Sequence, residues 1–117
     1  SLIVDDNFYN RDLVRMALDT LGFSSEEAVN GRDALTKLES DVYDILLLDI
    51  EMPEVNGIEV LRELRKDNRH NHMKVVLMTA YRDLAKDVES DVDYVVYKPI
   101  DINNFVVFLM KLKFDQL

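Results

Sequence analysis

Four short apolar runs, each continuous rather than alternating, limit what this chain can fold into: Leu2-Ile3-Val4, Ile45-Leu46-Leu47-Leu48, Val75-Val76-Leu77-Met78 and Tyr94-Val95-Val96-Tyr97. A strand with one wet face alternates apolar and polar residues. Unbroken runs of this length therefore read as strands buried on both faces, as in a parallel sheet between layers of helices. A weaker run from Phe23 to Ala28 reads as a strand nearer the sheet edge. Helical periodicity fills the intervals. Asn7 can cap a helix that carries Leu13, Ala17 and Leu21 at four-residue spacing and stops at Gly22. Ala34, Leu35 and Leu38 mark a second helix after Asn30-Gly31, and Ile58, Leu61 and Leu64 a third after Asn56-Gly57. Residues 83–89 suit a short, charged fourth helix, and Asp101 can cap a fifth that runs into Phe114. Ile102, Phe105, Leu109 and Leu112 should turn that last helix toward the sheet.

A β-α unit repeated five times predicts a flavodoxin-like three-layer α/β sandwich, with five parallel strands in the order 2-1-3-4-5 and five helices. At 117 residues the chain fits one domain, residues 1–117, with its own core and no room for a second. Lys and Arg number 14 against 23 Asp and Glu, a net charge of -9. That excess argues against a nucleic-acid binder, whose affinity for phosphate comes mainly from Lys and Arg. The absence of Cys removes disulfide frameworks, thiolate zinc sites and Cys nucleophiles together. No apolar run approaches the roughly 18 residues of a spanning helix, and nothing resembles a targeting signal. The expectation is a cytoplasmic domain, stand-alone or excised from a longer protein.

In such sheets, ligands bind beyond the carboxyl ends of the strands. The polar residues that follow the apolar runs are Asp5 and Asp6, Asp49, Thr79 and Lys98. Each alone is weak: an Asp after a strand is often a helix cap, and Lys-Pro is often a turn. Together they bring three carboxylates, a hydroxyl and an ammonium to one sheet edge. Three ionised carboxylates need a cation, and an oxygen-only set favours Mg²⁺ or Mn²⁺. Such an ion can also hold phosphate oxygens, and a carboxylate can itself be the nucleophile that forms an aspartyl-phosphate. Lys98 and Thr79 would hold the phosphoryl oxygens, and Ala80 is small enough to leave an approach open.

The segments LIVDDN, LLLDIEMPEVNG, LMTA and YKPI resemble the receiver (CheY-like) domain of two-component response regulators, over nearly the whole chain. NRDLVRMALDTLGF and AVNGRDAL are similar to receivers fused to hybrid histidine kinases. The resemblance implies that Asp49 accepts a phosphoryl group from a histidine kinase or a histidine phosphotransfer protein. It implies that Asp6 binds Mg²⁺ directly and Asp5 largely through water, with the backbone carbonyl of Glu51 as a further ligand. Thr79 would move toward the phosphoryl group and Lys98 would pair with it. Met52, Pro53 and Gly57 would shape the loop after Asp49, Gly57 by adopting angles other residues resist. The Lys98–Pro99 bond would be cis.

The chain also departs from that pattern. Thr79 and Lys98 are 19 positions apart, about one helical turn less than expected, which shortens the fourth helix on the face where most receivers signal. The aromatic residue expected three positions before the Lys is Val95, flanked by Tyr94 and Tyr97. Side chains alternate across a strand, so neither flanking ring is expected to substitute on Val95's face, and the usual coupled movement of Thr and ring should be absent or altered. Glu51 and Tyr81 stand two positions beyond Asp49 and Thr79, where they could hinder a hydrolytic water and slow self-dephosphorylation. Val107, Met110 and Phe114 form a second apolar stripe on the fifth helix. Either a homodimer or partner interface or a following segment would cover it. His70 and His72 read as surface imidazoles rather than a metal site.

The leading function is a phosphorylation-controlled receiver that turns over no separate substrate. One competitor is a pseudo-receiver, a binding module that works without phosphorylation. Another is an aspartate-nucleophile phosphatase of the haloacid dehalogenase type, which Asp49-Ile50-Glu51 superficially suits but whose later acidic cluster is missing.

Overall fold

The apolar runs form strands and the periodic stretches between them form helices, in strict alternation. The computed structural model describes residues 1–52 and 56–115. In chain order the elements are β1 (Leu2–Val4), α1 (Phe8–Thr20), β2 (Glu26–Ala28), α2 (Gly31–Ser40), β3 (Ile45–Asp49), α3 (Gly57–Leu64), β4 (Lys74–Thr79), α4 (Arg82–Val88), β5 (Tyr94–Tyr97) and α5 (Ile102–Asp115). Short 3-10 turns at Asn68–His70 and Glu89–Asp91 lead into β4 and β5. Every strand pairing is parallel, in the order β2-β1-β3-β4-β5. The order reverses between β1 and β3, so the crevice that binds ligands in such sheets opens there.

The unbroken apolar runs are explained by two cores, one on each face. Leu2, Val4, Leu46, Leu48, Val75 and Leu77 meet α2, α3 and α4 through Ala34, Leu38, Val60, Leu61 and Ala85. Ile3, Ile45, Leu47, Val76 and Met78 meet α1 and α5 through Val14, Leu18, Phe105, Leu109 and Leu112. Asn7, Asn30 and Asn56 each cap a helix by accepting the N–H three residues on. Helix α1 ends where Gly22 takes a positive φ of 81°, with the Phe23 N–H returning to the Leu18 carbonyl. None of the helices described is long and apolar enough to cross a membrane.

Several expectations need correction. Only Glu26–Ala28 of the predicted second strand pairs with β1; Phe23 instead leans on the α1–α5 core. The buried stripe of α1 is Val14, Ala17 and Leu18, with Leu13 only half-buried. Ile102 is 37% exposed, because α5 enters its layer only from Phe105 onward. His70 is buried, at 4% exposure, where its Nε2 meets the Leu38 carbonyl at 3.0 Å; His72 is exposed. Val107, Met110 and Phe114 do face outward, at 50%, 41% and 61% exposure. Helix α4 is short, as expected, at seven residues.

Gly57 owes its place to space rather than to dihedral freedom, since it sits within helical backbone at the start of α3. A Cβ there would lie 2.6 Å from the Asp49 carbonyl oxygen and 2.7 Å from Ile50 Cα, both backbone. Gly57→Ala should therefore cost about 1–3 kcal/mol through overpacking, measured by urea unfolding. The gain of a few tenths to 1 kcal/mol that Ala brings to an ordinary helix would contradict this packing.

Candidate functional site

Strand alternation decides which side chains meet at the open edge. Asp5, Asp49 and Lys98 each follow Ile3, Leu47 and Val96 by two residues, so all three continue the α1–α5 face of the sheet. They come from β1, β3 and β5, and their side chains converge. Lys98 Nζ donates to Asp5 Oδ2 at 3.0 Å and lies 3.4 Å from Asp49 Oδ2. Asp5 Oδ1 accepts the Asn7 N–H at 2.9 Å, and Asp49 Oδ1 accepts the Glu51 N–H at 3.1 Å. The second of these sets the Glu51 main chain beside the carboxylates. Asp5 and Asp49 are buried while Asp6 is exposed, so the cluster has one wet side. Carboxylate oxygens of Asp5, Asp6 and Asp49 lie within 4.8 Å of one another.

One ammonium does not balance this cluster. Burial pushes the Asp49 carboxyl up to about 6, and Asp5 adds to the rise; the Glu51 N–H and Lys98 oppose it only in part. Burial alone would lower the Lys98 ammonium, but the two carboxylates outweigh it and raise it above its ordinary value. A charge-deficient, oxygen-only set with one open side fits a hard divalent cation that keeps part of its water.

Thr79 reaches the same edge from the other face. It is fully buried, its Oγ1 accepts the Tyr81 N–H at 2.9 Å, and its carbonyl accepts the Lys98 N–H at 2.8 Å. Its hydroxyl is not among the hydrogen-bond partners of Asp5 or Asp49. Ala80 is exposed beside it. Met52 is buried in the α2–α4 core, Lys98–Pro99 is cis, and Pro53 lies outside the described residues. Glu51 and Tyr81 both stand exposed.

The reading of the aromatic positions needs one correction. Tyr94 points to the α1–α5 side, edge-on to Phe108 with centroids 5.3 Å apart. Tyr97, two residues beyond Val95, shares Val95's face, as period-two alternation requires. There the Arg82 guanidinium lies 4.0 Å from its ring centroid. Sequence reasoning also passed over Arg11, whose Nη1 donates to the Asp5 carbonyl at 2.9 Å and whose Nε meets Glu27 at 3.2 Å. Its signal was a lone basic residue in the first turn after the acidic pair.

The profile of the response regulator receiver domain family matches residues 1–109. The chain is 31% identical over 124 residues to hybrid signal transduction histidine kinase B of Dictyostelium discoideum, covering 94% of this chain and 6% of the kinase. It is 31% identical over 108 residues to the polar-differentiation response regulator DivK of Brucella anthropi, covering 90% of this chain and 88% of DivK. The chain spans a quarter or less of several larger curated relatives it matches. Among solved structures it is similar to response regulator TrrA of Thermotoga maritima in complex with Mg²⁺-BeF. That match has a TM-score of 0.82 and 37% identity, over 95% of this chain and 96% of TrrA.

A carboxyl held near 6 in the folded state and at its ordinary 3.8 when unfolded favours folding below about pH 4. That contribution is lost as pH rises through about 6. In EDTA, the Tm of Asp49→Asn relative to wild type should therefore climb between pH 4 and pH 7. A difference that stays flat across that range would contradict the strained carboxylate.

Proposed function

The chain belongs to the response regulator receiver domain family, the receivers of two-component signalling, and from that premise we propose that Asp49 is its phosphoryl acceptor. The supporting observation is the convergence of three carboxylates within 4.8 Å with a lysine ammonium on two of them. A carboxylate oxygen of Asp49 attacks the phosphorus of a phosphohistidine. The phosphorus–nitrogen bond breaks, and the imidazole keeps the electron pair and takes a proton. Asp5, Asp6 and Asp49, with the Glu51 main-chain carbonyl, would hold Mg²⁺ or Mn²⁺, which when bound supplies positive charge for the phosphoryl oxygens. The Mg²⁺-BeF complex of the Thermotoga relative supports the same ligand chemistry here.

The protein's own groups do the remaining work. Lys98, already 3.4 Å from Asp49, pairs with a phosphoryl oxygen as the transferred charge arrives. Thr79 turns its hydroxyl proton to another, and exposed Ala80 leaves the approach clear. The donor is a histidine kinase or phosphotransfer protein, and the reaction is cytoplasmic. The domain catalyses only its own phosphorylation and hydrolysis, and Glu51 and Tyr81, both exposed two positions beyond Asp49 and Thr79, slow that hydrolysis by hindering the attacking water. The outward stripe of α5, Val107, Met110 and Phe114, is a face for a second copy or a partner.

Acetyl phosphate with Mg²⁺ should label wild type and not Asp49→Asn, and the label should decay slowly once donor is removed. Failure of wild type to label would favour a binding module that works without phosphorylation. Multiple turnover of p-nitrophenyl phosphate would instead favour a phosphatase. Position 95 carries a second expectation. Beryllofluoride should shift the β5 resonances little in wild type and much more in Val95→Tyr; release of Tyr94 from Phe108 in wild type would contradict this.

A further inference from the structure

Asp5 has a partner for each of its polar groups. Its N–H donates to the Ala28 carbonyl at 3.2 Å, Oδ1 accepts the Asn7 N–H at 2.9 Å, and Oδ2 accepts from Lys98 at 3.0 Å. Its carbonyl accepts from Arg11 Nη1 at 2.9 Å. Asp6, the next residue, is exposed, yet its carboxylate belongs to the same group of oxygens within 4.8 Å. The peptide between them is planar, so the Asp5 carbonyl and the Asp6 Cα share one plane. A donor that holds the carbonyl therefore fixes the direction in which Asp6 leaves the strand.

Arg11 is itself anchored. Its side chain is 12% exposed, and its Nε meets Glu27 Oε1 at 3.2 Å. Glu27 lies on β2 in register with Ile3 of β1. Arg15, one turn further along α1, approaches the other Glu27 oxygen at 3.8 Å. The guanidinium thus bridges the end of β1 to the edge strand by donating in two directions at once. A planar fork suits that task better than the point charge of an ammonium.

We infer that Arg11 is a positioning residue for the cation site: through the Asp5 carbonyl it holds Asp6 where the three carboxylates can share one divalent ion. The inference rests on Asp5, Asp6 and Asp49 being the ligand set proposed above. Charge and positioning make opposite demands on one variant. Removing a positive charge from beside an acidic cluster should, by Coulomb's law alone, tighten cation binding. Losing the group that orients a ligand should weaken it, by about tenfold or more.

Mn²⁺ titrated into the full chain, with free ion read by electron paramagnetic resonance, tests this. Arg11→Met should bind about tenfold more weakly than wild type. Arg11→Lys keeps the charge but loses the fork, and should also bind several-fold more weakly; it decides the matter should Arg11→Met not fold. Glu27→Gln loses the ion pair but leaves an oxygen for Nε, so its Tm should fall while its Mn²⁺ affinity stays within about twofold of wild type. In an Asp6→Asn background, Arg11→Lys should change affinity less than about twofold, because the residue it acts through is gone. Tighter or unchanged binding by both Arg11 variants, affinities that merely follow Tm across the series, or a full loss persisting in Asp6→Asn would overturn the inference while leaving the ligand set intact. Failure of wild type to bind Mn²⁺ would overturn the ligand set and the inference with it.

Discussion

A single ammonium group stands between two buried carboxylates at the sheet edge, and the organisation of the site follows from its insufficiency. Lys98 Nζ reaches Asp5 at 3.0 Å and Asp49 at 3.4 Å, joining the ends of β5, β1 and β3. Two buried negative charges with a third beside them exceed what one cation and a few N–H donors offset. The imbalance falls on Asp49, whose carboxyl is driven up to about 6 by burial. A site left short of positive charge is one to which a divalent cation brings stability.

The backbone around the cluster is arranged to preserve this. Gly57 lets α3 begin against the Asp49 carbonyl with no room for a side chain. The Glu51 and Asn7 N–H groups fix one oxygen of Asp49 and one of Asp5, leaving the others turned toward Lys98. Arg11 braces the Asp5 main chain from α1. Movement of Thr79 would be felt along the chain at Tyr81, whose N–H it holds, and at Arg82, which lies over Tyr97.

The fold was legible because strands covered on both faces read as unbroken apolar runs, and Ile45 to Leu48 admits few other readings. The edge strand was less so: Glu26 and Glu27 carry no apolar signal, and their pairing with β1 is decided by tertiary contacts. In α1, Leu13-Ala17-Leu21 and Val14-Ala17-Leu18 are both helical spacings, and only packing against the sheet selects the second. The carboxylate cluster was visible because its members all follow strands. His70 was not, since a polar neighbourhood in sequence says nothing of a turn that tucks one ring beneath α2. The face shared by Val95 and Tyr97 follows from period-two alternation alone. The steric role of Gly57 needed the approach of α3 to β3, which no local pattern encodes.

On the proposed chemistry Asp49, rather than Asp5 or Asp6, becomes the acyl phosphate. Borohydride reduces an aspartyl-phosphate to homoserine, a change that peptide mass spectrometry can place. After acetyl phosphate and Mg²⁺, homoserine should appear at position 49 and at no other carboxylate. Homoserine at position 5 or 6, or an acid-stable phosphate on a hydroxyl, would contradict it.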